Sequence, residues 1–144
     1  MFFFRNSFHF YIHTTTTVKS VVMEYKFTRI TTATPAIKVA DCTHNSNEII
    51  SIINKVKDSE IILFPELCIT SCSCGDLFAQ QFLLEQAEEA LENIVQTSNC
   101  INSIIVIGMP IKTGNKVYNC AVVVYKGEVI GATAKNTPAT DEQR

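Results

Sequence analysis

Two ionisable residues, Glu66 and Lys135, stand just beyond apolar runs, and their types are those of an acid–base pair. The run Ile61-Ile62-Leu63-Phe64 precedes Pro65 and Glu66. Successive apolar residues fit a strand buried on both faces. Pro65 cannot donate to a sheet ladder, so the strand should stop there. Glu66 then lies at the carboxyl end of a buried strand, where open α/β sheets build their sites. A carboxylate so placed can serve as a general base. Lys135 follows the last apolar segment, and an ammonium near the acid can stabilise an oxyanion and activate a nucleophile. Each residue has an ordinary alternative as a solvated surface charge.

The nucleophile is the piece that does not declare itself. Cys68 and Cys74 lie near Glu66 in sequence, but Pro65 breaks the strand geometry that would align them. Cys120 alternates within an apolar strand and reads as core. The six cysteines, at 42, 68, 72, 74, 100 and 120, contain no Cys-x-x-Cys pair and no second ligand cluster. Reduced thiols follow, rather than a zinc site or a disulfide framework. His9 and His13 are four apart but lack a third ligand. Glu85, Glu88, Glu89 and Glu92 read as the solvated face of a helix. No metal or cofactor site is therefore expected. There is no glycine-rich phosphate loop either.

The 144 residues suffice for one domain with a real core. Hydrophobic residues at 47% against 18% charged place the body among globular chains. A net charge of −2 without a basic stripe argues against nucleic acid as a partner. The longest clean apolar run is too short to span a membrane.

The elements that must position Glu66 and Lys135 follow from periodicity. Residues 26–32, rich in Thr and Ile, read as a strand, and 37–40 as a short extended continuation. Residues 41–45 carry turn chemistry. Asn45 with Glu48 resembles a capping box for a helix of about three turns, whose apolar face is Ile49, Ile50, Ile52, Ile53 and Val56. With the strand at 60–64, this makes a βαβ-like start. Residues 68–75 read as a loop, and Asp76 as the N-cap of a long helix to about Thr97. A strand is predicted at 104–110, closed by Gly108 and Pro110. Strands at 117–124 and 128–132 are joined by a Lys126-Gly127 hairpin turn.

The amino terminus differs in character. Residues 1–22 carry Phe2-Phe3-Phe4, Arg5, Lys19 and a Thr14 to Thr17 run, without an acid. This reads as a disordered leader or non-native extension, with a weak likeness to a transit peptide. Met23 is then a candidate initiator, and the domain is expected over 23–144.

Phe64-Pro65-Glu66-Leu67-Cys68-Ile69-Thr70 followed by Cys74-Gly75-Asp76-Leu77-Phe78 closely resembles the glutaminase domains of the glutamine-dependent NAD+ synthetases. These belong to the nitrilase (carbon–nitrogen hydrolase) superfamily. The likeness extends through Ala33-Thr34-Pro35, Lys38 to Cys42, Gly108-Met109-Pro110, Val117-Tyr118-Asn119-Cys120-Ala121 and Lys126-Gly127, covering roughly residues 26–135. The resemblance implies an α/β fold, an α-β-β-α sandwich here incomplete, and a Glu–Lys–Cys triad. Glu66 falls on the general base and Lys135 on the catalytic lysine. The family's nucleophilic cysteine lies in a later block, and none of the six cysteines here occupies its position. Glutamine is the implied substrate. Deamido-NAD+, ATP and Mg belong to a separate synthetase domain, and the full-length family is expected to be cytoplasmic and homo-oligomeric. The chain is thus expected to be a fragment without activity of its own. The alternatives are a stand-alone amidase of the superfamily, or a non-catalytic remnant acting by protein contact. Two departures stand out. The family's Gly-Tyr is Ser71-Cys72 here, and the proline before the lysine is Ala134. If the family glycine has positive φ, Ser71 carries roughly 1 kcal/mol of strain.

Overall fold

In a computed structural model, which describes residues 10–13, 18–21 and 28–135, the strands hydrogen-bond strictly in chain order. They are β1 (Phe10–His13), β2 (Val18–Val21), β3 (Ile30–Ala33), β4 (Ile61–Leu63), β5 (Ile104–Thr113), β6 (Lys116–Tyr125) and β7 (Glu128–Ala134). β3, β4 and β5 are parallel, while β1–β2–β3 and β5–β6–β7 are antiparallel. Helix α1 (Cys42–Lys55) connects β3 to β4, and α2 (Gln81–Ser98) connects β4 to β5. Parallel β-α-β crossovers are right-handed as a rule, and two advancing in one direction put both helices on the same face, in keeping with the direct packing of α1 against α2.

The core lies between that helical layer and the sheet. Ile49 and Ile53 from α1, Ile94 from α2, Ile62 from β4, and Ile105, Ile107, Val122 and Val124 from β5 and β6 are almost wholly buried. Period-two alternation sends Ile104, Val106, Ala121 and Val123 to the opposite face, which is only partly covered. One helical layer on one sheet is half of an α-β-β-α sandwich of the nitrilase type. No helix among the described residues is long and apolar enough to cross a membrane.

Three sequence expectations are corrected. Helix α1 starts at Cys42, capped by Asp41, whose Oδ1 accepts from His44 N at 3.0 Å. Asn45 is instead buried within the helix, where its amide bonds Lys38 N, Lys38 O and Ile69 O at 2.7 to 2.8 Å. Asp76 does not cap α2. It lies exposed in a 3₁₀ stretch, Cys72–Ala79, which is kinked at Ser73 and Gly75, and α2 begins after Gln80. Strand β5 does not stop at Pro110. β4 ends at Leu63, opposite Val106, so no β4 residue lies where the missing Pro110 N–H would point. Within the 1–22 stretch, expected to be a disordered leader or non-native extension, β1 and β2 pair in register with β3. Their Phe, Tyr, Ile and Val content suits a pleated edge. The rest of that stretch lies outside the described residues.

Candidate functional site

Glu66 is placed by a backbone packed directly on β5. Phe64 N still bonds Val106 O at 2.9 Å, the last ladder contact of the β4 line. The chain then turns, with Leu67 at φ 50. Leu67 O accepts from Thr70 N at 3.2 Å and from Ser71 N at 2.8 Å, closing one helical turn. The turn rests on Gly108, where a Cβ would lie 2.5 Å from Leu67 N and Pro65 O and 2.6 Å from Glu66 Cα. Only glycine permits that approach. The Gly108-Met109-Pro110 motif therefore works as a seat for the Glu66 turn.

Lys135 arrives from the other side of the sheet. β7 runs parallel to β5, so its carboxyl end lies at the same edge as that of β4. Lys135 N continues the ladder onto Asn119 O at 2.8 Å. Its Nζ donates to Glu66 Oε1 at 3.1 Å and lies 3.4 Å from Oε2. The side chains are partly open, 52% exposed for Glu66 and 37% for Lys135. The two residues singled out in the sequence thus form an ion pair across 69 positions of chain.

Asn119, near the start of β6, donates from Nδ2 to Glu66 Oε1. Sequence reasoning quoted it within a motif but gave it no part in the chemistry. An Asn in a strand has no periodic signature, and the available signal was its polarity inside an otherwise apolar alternation.

The cysteines lie elsewhere. All six are free. Cys68 is fully buried, its Sγ donating to Gly108 O at 3.5 Å, and burial pushes its pKa up from an ordinary 9.0 to about 11. Cys42 is raised likewise to about 11, by burial first and then by neighbouring Cys74 and Asp41. Cys74 and Cys120 are also buried and raised. Such thiols are poor nucleophiles. Cys72 and Cys100 are exposed. Among the described residues no group of three or more His, Cys, Asp or Glu could hold a metal ion.

The carbon–nitrogen hydrolase family matches residues 29–144. The chain is 30% identical over 112 residues to a glutamine-dependent NAD(+) synthetase from Mycobacterium leprae, covering 76% of this chain and 16% of that protein. It is 32% identical over 123 residues to the enzyme of the same name from Xanthomonas campestris pv. campestris, covering 81% and 22%. The chain thus spans about a fifth or less of these relatives' length. Among solved structures, a glutamine-dependent NAD(+) synthetase from Cytophaga hutchinsonii superposes with TM-score 0.71 at 32% identity, over 76% of this chain and 19% of that one. An amidase from Nesterenkonia sp. gives TM-score 0.70 at 19% identity, over 85% and 48%, a likeness of fold.

Proposed function

Because the chain belongs to the carbon–nitrogen hydrolase family, we propose that it is the amino-terminal part of a glutaminase domain that feeds ammonia to a NAD+ synthetase. The observation that carries this reading is the Glu66–Lys135 ion pair at the carboxyl edge of the sheet. It is supported by relatives that share the synthetase name.

In this reading a cysteine thiol, supplied from beyond these residues, attacks the side-chain carbonyl carbon of glutamine. Glu66 takes the thiol proton, and the Lys135 ammonium faces the tetrahedral oxyanion. As the C–N bond breaks, the proton passes to the departing nitrogen and ammonia leaves. Water, deprotonated by Glu66, then attacks the thioester carbonyl; the C–S bond breaks, glutamate leaves, and the proton held by Glu66 returns to the sulfur. The ammonia goes to amidation of deamido-NAD+ at a separate synthetase domain. In this reading ATP and Mg belong to that separate domain. A cytoplasmic, homo-oligomeric assembly belongs to the same reading.

Glutamate release tests it, measured for the 144-residue protein and for the chain extended by the coding sequence that follows it. The extended chain is expected to hydrolyse glutamine and to lose that activity in Glu66→Gln and Lys135→Ala. The 144 residues alone are expected to stay at background. Turnover by the short chain, abolished by Glu66→Gln, would mean that a local cysteine serves. An extended chain that cleaves simple aliphatic amides but not glutamine would favour a stand-alone amidase.

A further inference from the structure

We infer that Asn119 is a positioning residue that occupies Oε1 of Glu66 and leaves Oε2 as the oxygen that takes the proton. The inference rests on the reading of Glu66 as a base. The two carboxylate oxygens are not equivalent. Oε1 accepts from both Asn119 Nδ2 and Lys135 Nζ, the latter at 3.1 Å. Among the described residues Oε2 has one contact, Lys135 Nζ at 3.4 Å. A proton arriving at Oε1 would have to displace a donor, whereas Oε2 keeps lone pairs free.

Asn119 also suits this task better than Lys135. Its amide is uncharged throughout the accessible pH range, so it can hold the carboxyl in both protonation states. The ion pair loses its charge attraction once Glu66 is protonated. Among the described residues, the Gly108 main chain from β5 and Asn119 from β6 meet Glu66 without charge, and Lys135 is the charged group paired with it. The Asn119 main chain is fixed as well, because its carbonyl accepts from Lys135 N at 2.8 Å. One residue therefore aims the base with its side chain and anchors the lysine with its backbone.

The test is solution NMR of the isotope-labelled 144-residue chain, without substrate. Three-bond couplings report the Glu66 side-chain rotamer, and a coupling across the hydrogen bond reports Asn119 Nδ2 to the Glu66 carboxyl carbon. A single Glu66 rotamer is expected in the wild type and in Lys135→Met. Averaged couplings are expected in Asn119→Leu, with the β6 and β7 backbone amide shifts retained. The Asn119–Glu66 coupling should survive acidification, because the proton lands on Oε2. A fixed rotamer in Asn119→Leu, or equal averaging in Lys135→Met, overturns the inference. So does loss of the coupling as Glu66 protonates. If Asn119→Leu disturbs β6–β7 pairing, the acid titration of the wild type decides alone. Because no turnover is measured, a negative glutamine assay of the extended chain strikes the base reading and leaves the Asn119 geometry to these spectra.

Discussion

Ser71 sits at φ 77, ψ 150, a region that is essentially glycine's own. The positive φ expected if the family's glycine is so placed is therefore present, and Ser71 adopts it at a cost. Its Oγ recovers little, accepting from Ser73 N at 3.3 Å. Ser71→Gly is expected to raise stability by about 1 kcal/mol, read as a higher denaturation midpoint. A lower midpoint would show that the hydroxyl contact outweighs the strain. Glu66→Gln should instead be silent in stability. The ion pair it breaks is partly solvated, so less than about 1 kcal/mol is at stake, and thermal melts of the two proteins should nearly coincide. Cys68 gives a pH prediction. Its folded pKa of about 11 exceeds the ordinary 9.0, so between those values the folded state holds more protons than the unfolded one. Stability is full below about pH 9 and falls as pH rises through 11, by roughly 2 to 3 kcal/mol for two pKa units. Cys68→Ala should make the alkaline fall in denaturation curves shallower by that share, with Cys42, Cys74 and Cys120 supplying the remainder, whatever it costs at neutral pH.

At the scale of elements, the site depends on a close approach of one turn to one strand. The neighbours that a Cβ on Gly108 would strike are backbone atoms of residues 65–67, which have no free end to swing away. Gly108→Ala is expected to cost about 1–3 kcal/mol or more. It should also push the Glu66 turn off β5, so that the Glu66–Asn119 and Glu66–Lys135 contacts are lost together. Retained contacts in the NMR spectra of a folded variant would refute this account of the glycine. Helix α1 shows why a cap is hard to choose in advance. Asp41 and Asn45 are both competent N-caps. Asp41 wins because Asn45 is drawn inside to tie residues 38 and 69 to the helix.

At the scale of the molecule, the site straddles parts of unequal burial. Glu66 rests on β5 and Asn119 belongs to β6, whose Ile105, Ile107, Val122 and Val124 are at most 1% exposed. Lys135 hangs from β7, where Val129 and Ile130 are 49% and 56% exposed. Local opening follows buried apolar contact. In native-state hydrogen exchange the amides of Ile105, Ile107, Val122 and Val124 should therefore exchange last, and those of β7 well before them. Equal protection of all three strands would mean that Lys135 is held as firmly as Glu66.

What the sequence determined by itself is local. The apolar run stopped by Pro65, the 3.6-residue apolar faces of both helices and the Lys126-Gly127 hairpin are each written within a few neighbouring residues, and each appears in the fold. Glu66 and Lys135 were legible too, as charged residues beyond strand ends with recognisable flanks. Their meeting was not legible, because it depends on registers that sum over β4 to β7. Asn119 reaches Glu66 across 53 residues and Lys135 across 69. Pro110 read as a stop signal, yet the strand continues because β4 has already ended beside it. Periodicity says which way a side chain faces, but only the assembled sheet decides which distant side chain it meets. The meeting of Glu66, Lys135 and Asn119 is a product of that assembly.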